Sequence, residues 1–254
     1  MSESRLSASP DLPPPPLALL SGAALFLDFD GTLAPIAETP DAVLVDAGLI
    51  AMLARLRDAL DGRLAIVSGR AVATLRSLGF ADFLIAGTHG LEVAQPGHAV
   101  EGPARLPAVN AATRLFEEFS ADKPGLLVER KPLSVGLHFR GAPQWGAAAG
   151  DLAHAIAAEQ GLVVQPGKML FELRPGGADK GSAVRALMTR APMHGGVPLF
   201  IGDDVTDEEG FAAATQLGGS GILVGPQRST LAAWSLEQVA AVRHYLAQGA
   251  TCLT

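Results

Sequence analysis

Two carboxylates two residues apart, Asp28 and Asp30, close an apolar run and are followed at once by Gly31-Thr32. In extended chain, residues i and i+2 point the same way, so both acids can aim at one point past the end of a strand. Carboxylates crowded this closely repel each other unless a cation or a shared proton relieves them. The pattern suits a Mg²⁺ site in which one Asp is left to act as a nucleophile, although Asp and Gly also make plain turns. Three further stretches have related chemistry. Ser68-Gly69-Arg70 follows the apolar run to Val67, where a hydroxyl and turn amides could cradle a phosphate. Lys180 stands near the start of a helical stretch, where its cation could offset an anion and hold a nucleophile ionised. Asp203, Asp204 and Asp207 follow the apolar run to Ile201, and acids so close together would repel one another without a hard cation, although an acidic helix start also complements the helix dipole.

To bring these stretches together the chain needs a parallel sheet, because ligands of open α/β sheets sit beyond the carboxyl ends of the strands. Ala23–Leu27, Arg63–Val67 and Phe83–Ala86 are short apolar runs of the buried-strand type. Between them, helices are expected over about 47–59, with Leu49, Met52, Leu53 and Leu56 at helical spacing and Asp46 as N-cap, and over about 71–78. This alternation of strand and helix is that of a parallel sheet covered by helices.

From about Gly97 the texture changes. A helix over about 108–119, strands at 126–131 and 134–140, an Ala-rich helix over about 144–159 and strands at 162–164 and 169–173 make an α+β module. Its expected form is a four-stranded antiparallel sheet with two helices on one side. Val135, Leu137 and Phe139 alternate with Ser134, Gly136, His138 and Arg140, which leaves one polar sheet face. The parallel pattern then resumes: a helix opening at Asp179-Lys180-Gly181, strands at 198–201 and 221–224, and helices over about 211–215 and 236–248. The module is therefore read as an insertion over 103–175 in a core of residues 17–102 and 176–254, after a disordered Pro-rich tail over 1–16.

The 254 residues are 48% hydrophobic with a net charge of −7, which provides ample core and no basic patch of the nucleic-acid type. No stretch approaches the roughly 18 consecutive apolar residues of a membrane span. The apolar run Leu17 to Leu27 has the length of a leader but lacks a basic flank, since Glu3 and Asp11 precede it against only Arg5. A single cysteine, Cys252, permits neither an internal disulfide nor a thiolate metal site and suits a reducing cytoplasm.

The four stretches, in this order and at these positions, resemble the haloacid dehalogenase superfamily of phosphotransferases, whose acidic nucleophile motif, strand-end Ser, Lys and second acidic motif they match. A narrower resemblance is to the trehalose-6-phosphate phosphatases. It rests on Gly202-Asp203-Asp204-Val205-Thr206-Asp207-Glu208, on Glu129-Arg130-Lys131-Pro132-Leu133-Ser134 with His138-Phe139-Arg140, on Gly167-Lys168 with Glu172-Leu173-Arg174-Pro175, and on Ser68-Gly69-Arg70 and Gly87-Thr88-His89-Gly90. Thr88 departs from the Asn that the family often has. The resemblance implies a Rossmann-like core with an inserted cap and the hydrolysis of trehalose 6-phosphate through an aspartyl-phosphate. It makes Asp28 the nucleophile and Asp30 the general acid and base, with Ser68 and Lys180 on the phosphoryl oxygens. It places Mg²⁺ on Asp28, Asp30 (through its carbonyl) and Asp203, with Asp204 and Asp207 completing the shell. It assigns Arg70, His89, Glu129, Lys131, His138, Arg140, Lys168 and Glu172 to substrate. It further implies a cytoplasmic monomer acting on a small sugar phosphate, with no nucleic-acid or membrane partner. Other sugar phosphates, or a regulator that has kept the fold, are the alternatives.

Overall fold

In a computed structural model, which describes residues 11–37, 39 and 42–253, β1 (Ala23–Leu27) is buried along its whole length. Its alternate residues enter two different cores, as period-2 geometry requires of a strand covered on both sides. Ala23, Leu25 and Leu27 join one apolar cluster, and Ala24 and Phe26 the other. The same alternation holds for β2 (Leu64–Val67), with Leu64 and Ile66 on the first side and Ala65 and Val67 on the second.

β1 lies at the centre of a seven-stranded sheet. On one side of it are β2, β3 (Leu84–Gly87) and β4 (Glu92–Ala94), and on the other β9 (Val197–Gly202), β10 (Ser220–Val224) and β11 (Trp234–Leu236). All neighbours pair in parallel except β4, which runs antiparallel to β3. Helices α1 (Ala47–Ala59), α2 (Val72–Leu75) and α7 (Val239–Cys252) pack on the first cluster. Helices α5 (Lys180–Met188) and α6 (Glu208–Gln216) pack on the second.

This unit of the chain ends at Val100 and resumes at Asp179; the second compact unit is Glu101–Ala178. The second has its own sheet, in the order β5 (Leu127–Arg130), β6 (Val135–His138), β8 (Leu170–Arg174), β7 (Val163–Gly167), antiparallel throughout. Helices α3 (Pro107–Ser120) and α4 (Gly146–Gln160) cover one face of it, with Val109, Phe116, Val135, Leu137, Ala153 and Leu173 at the centre.

The structure departs from the sequence expectations in three places. Of the tail expected to be disordered to residue 16, residues 1–10 lie outside the described part, but Leu12 onward is held. The Ser235 N–H and hydroxyl donate to the carbonyls of Pro13 (3.0 Å) and Leu12 (3.0 Å), and the Tyr245 hydroxyl donates to that of Pro16 (3.2 Å). Strands β4 and β11 were not expected; each is three residues at a sheet edge, too short to show a period. The helix expected over 71–78 is α2 continued by a π turn, Arg76–Phe80, in which Gly79 has φ +102°. Among the described residues no helix is long and apolar enough to cross a membrane.

Candidate active site

Four strand ends of the core sheet converge at its carboxyl edge. Leu27 pairs with both Ile66 and Ile201, so Asp28 emerges level with the ends of its two neighbouring strands. Its N–H still donates to the Ile201 carbonyl at 2.9 Å, which fixes the backbone from which the acid projects. β2 delivers Ser68, β3 delivers Thr88 and His89, and β9 delivers Asp203.

Lys180 is brought to Asp28 by α5. Asp179 caps that helix: its Oδ1 accepts the Ser182 N–H at 2.6 Å, and its own N–H donates to Ser182 Oγ at 2.9 Å. The reciprocal pair settles the first turn. From the first helical position Lys180 Nζ donates to Asp28 Oδ1 (2.7 Å) and Asp207 Oδ1 (2.6 Å). All three residues are buried, at 3% exposure or less. Gly181 lets α5 approach α6 this closely, since a Cβ there would stand 2.4 Å from the Glu209 carbonyl oxygen.

The other oxygen of Asp207, Oδ2, accepts the Asp204 N–H at 2.9 Å and so shapes the acidic loop after β9. Gly202 makes room for it, because a Cβ at that position would lie 2.3 Å from Asp207 Cγ. Arg228 braces the loop from outside by donating to the Asp204 carbonyl (2.9 Å) and to Glu208 Oε1.

Asp28, Asp203 and Asp207 bring carboxylate oxygens within 4.8 Å of one another. Burial pushes the Asp28 carboxyl well up from its ordinary range; Asp207 and Asp203 add to the rise while Lys180 opposes it. Burial alone would lower Lys180, but the charges of Asp207 and Asp28 outweigh it and hold the ammonium protonated. One buried cation thus faces three acids, and the centre has an excess of negative charge. The donors are hard oxygens, the set that suits Mg²⁺. Gly31, at φ +87°, supports the same fit. A Cβ there would fall 2.1 Å from Asp203 Oδ2, so only glycine leaves the space that this carboxylate occupies. Asp204 lies outside the group, and its Oδ1 accepts the Val205 N–H at 2.8 Å.

The Asp30 side chain turns to Arg70, whose Nε and Nη2 donate to Oδ2 (2.7 Å) and Oδ1 (2.8 Å). Ser68 is buried, and its Oγ accepts the Arg70 N–H at 3.1 Å. His89 and Thr88 are both left-handed, at φ +55° and +46°, a costly backbone for residues with a Cβ. The turn is held by Thr88 N–H to the Arg70 carbonyl (2.9 Å) and His89 N–H to the Ser68 carbonyl (3.0 Å). Gly69 accepts the His89 ring, since a Cβ there would stand 2.7 Å from Nε2.

The α+β unit gathers four of the expected residues by strand register. Glu129, Gly136 and Glu172 are direct neighbours across β5, β6 and β8. Lys131 Nζ lies 2.5 Å from Glu172 Oε2 and 3.7 Å from Glu129 Oε2, and His138 Nε2 lies 2.9 Å from Glu129 Oε2. Burial would raise Glu129, but the hydrogen bond from His138 and the charge of Lys131 prevail and hold its carboxyl below the usual glutamate range. The Arg140 guanidinium donates to the Lys168 carbonyl at 3.4 Å.

Two braces of the core went unforeseen, Arg228 and Glu92. The buried Glu92 Oε2 accepts from Thr88 Oγ1 (2.7 Å) and the Val72 N–H (3.1 Å), which also gives the departing Thr88 a task. The only sequence signal for it was an acid two residues after Gly90.

Residues 26–239 match the sequence profile of the family described as trehalose-phosphatase. The chain is 38% identical over 235 residues to the trehalose-6-phosphate phosphatase of Escherichia coli, covering 91% of this chain and 87% of that protein. It is 40% identical over 210 residues to a probable trehalose-phosphate phosphatase of Sinorhizobium fredii, covering 82% and 79% respectively. A crystal structure of a trehalose-6-phosphate phosphatase related protein has a TM-score of 0.76 at 28% identity, covering 90% of this chain and 97% of that one. With the acidic centre, the lysine and the inserted α+β unit all in place, the chain belongs to the trehalose-phosphatase family.

Proposed function

We propose that this chain hydrolyses trehalose 6-phosphate to trehalose and phosphate, with Mg²⁺, through an aspartyl-phosphate on Asp28. The observation that carries the reading is the buried group of Asp28, Lys180 and Asp207, with the half-buried Asp203 beside it, at the end of the central strands. Asp28 attacks phosphorus in line, and Lys180, held protonated, faces the phosphoryl oxygens. Asp30 gives a proton to the departing sugar oxygen and then takes one from the water that hydrolyses the intermediate. Ser68 Oγ accepts from Arg70 and so keeps its own proton for a phosphoryl oxygen. Asp28 and Asp203, with the Asp30 carbonyl, would hold Mg²⁺, with Asp204 and Asp207 in support. When bound, the ion offsets charge between the nucleophile and the phosphoryl group.

In the α+β unit, Glu129, Lys131, His138 and Glu172 bind sugar hydroxyls, because charged partners make the stronger hydrogen bonds. His89, Arg140 and Lys168 are further substrate contacts. The reading has the chain act as a monomer. The free thiol of Cys252 suits a cytoplasmic enzyme.

The test is phosphate release from trehalose 6-phosphate, sucrose 6-phosphate, glucose 6-phosphate and mannose 6-phosphate, with Mg²⁺ and with a chelator. Metal-dependent release from trehalose 6-phosphate alone is expected. Release from another sugar instead keeps the chemistry and discards the reading of the α+β unit. A folded protein that releases phosphate from none of them moves the regulator reading to the front.

A further inference from the structure

Arg70 belongs by resemblance to the substrate contacts, yet the fold commits it elsewhere. Its N–H donates to Ser68 Oγ (3.1 Å) and its carbonyl accepts the Thr88 N–H (2.9 Å). Its guanidinium carbon lies 5.3 Å from the centroid of the buried Phe29 ring, within cation–π range. The Nε–Nη2 edge of the guanidinium engages Asp30, one nitrogen to each carboxylate oxygen. The Arg70 side chain is 12% exposed and that of Asp30 35%. Behind the loop, Glu92 anchors both Thr88 and Val72.

We infer that Arg70 is a positioning residue that fixes the Asp30 carboxylate for hydrolysis of the aspartyl-phosphate. The inference rests on the phosphatase reading above. Asp30 stands in a turn past the end of β1, and its carboxylate would rotate freely without a partner. A bidentate guanidinium sets both its plane and its place. Each carboxylate oxygen that accepts one N–H still has a lone pair to offer. The held carboxylate can therefore take a proton without leaving the fork. Both contacts are strongest with the ionised carboxylate, the form that receives a proton. The fork thus fits the half-reaction in which Asp30 receives a proton. In that step the water oxygen bonds to phosphorus, the phosphorus–Asp28 bond breaks, its electron pair returns to Asp28 as carboxylate, and the water proton passes to Asp30.

The experiment is stopped-flow hydrolysis of p-nitrophenyl phosphate, whose leaving group departs without a proton, by wild type, Arg70→Ala and Arg70→Lys. For Arg70→Ala the first equivalent of p-nitrophenol is expected as a burst at near wild-type rate, with steady turnover reduced about 100-fold or more. Since kcat/KM reports only binding and phosphoryl transfer, it should stay within about threefold of wild type while KM falls along with kcat. Guanidinium ion at a non-denaturing concentration should restore part of the steady rate. Arg70→Lys keeps the charge without the fork and should also show a burst and slow turnover. If Arg70→Ala fails to fold by circular dichroism, Arg70→Lys serves alone. A raised KM with unchanged kcat overturns the proposal, as does equal slowing of the burst, or full activity in Arg70→Lys. Wild type inert on both this ester and the sugar phosphates overturns the functional reading and this inference together.

Discussion

Gly31 decides how close the Asp203 carboxylate can come to the turn after β1. Gly31→Ala would drive a methyl into that carboxylate and strain a backbone at φ +87°. The acid can swing aside, so the fold should survive with a loss of order 1–3 kcal/mol. Turnover should fall much further, with a raised Mg²⁺ requirement; a metal titration of activity beside a thermal melt checks both. Glu129 offers a second residue-scale prediction, with its sign set by its lowered carboxyl. Stability from such a group is present above the unfolded value, about 4.3, and is lost as pH falls through the folded value. Wild type should therefore melt above Glu129→Gln at neutral pH, and the gap should close as pH drops below about 4. Thermal melts across pH 3–7 measure it. At this scale the acids after β1 and β9 and Ser68 were legible as candidates because residue type and strand-end position coincide, and Lys180 because it opens a helix. The Arg70–Asp30 and Glu92–Thr88 pairs were not, since no local pattern tells a side chain which partner it will find in the fold.

Among the elements, α5 does the most for its length. Its nine residues present Lys180 from a first turn fixed by the Asp179–Ser182 box. Asp179→Ala should cost about 1 kcal/mol and lower turnover by loosening that turn, whereas Asp179→Asn should keep the stability. Chemical denaturation with parallel assays separates the two. The long apolar strands and amphipathic helices were readable because burial on two faces or one imposes a period over many residues. Edge strands β4 and β11 have no such constraint, as an edge needs only a few backbone bonds. The helix after β2 was read as regular because the left-handed Gly79 that shapes its end leaves no mark on the apolar spacing. Likewise, Leu12–Pro16 shows no period, yet its carbonyls are bound by Ser235 and Tyr245.

For the whole molecule, the division into two units predicts separable lesions. Glu129→Ala should lose about 100-fold on trehalose 6-phosphate, because unpaired polar groups discriminate strongly, and yet keep its rate on p-nitrophenyl phosphate. Side-by-side kcat/KM values test this, and equal loss on both esters would count against a role in sugar recognition. The insertion itself was legible because an alternating antiparallel texture interrupts a parallel one; its observed limits, Glu101 and Ala178, fall in loops where no pattern marks an edge. The order of the strands has a temporal consequence. β1 leaves the ribosome well before its partner β9, which follows only after the whole α+β unit has been made. Asp28 waits for Lys180, 152 residues downstream. Until β9 arrives, a wholly apolar strand has an open edge, the hazard that makes non-local sheets slow to fold and prone to aggregate. The nascent chain can complete the inserted unit from local contacts while its catalytic half is unfinished. Chains truncated before Val197 should therefore be insoluble through β1 and devoid of activity, however well their inserted unit has folded.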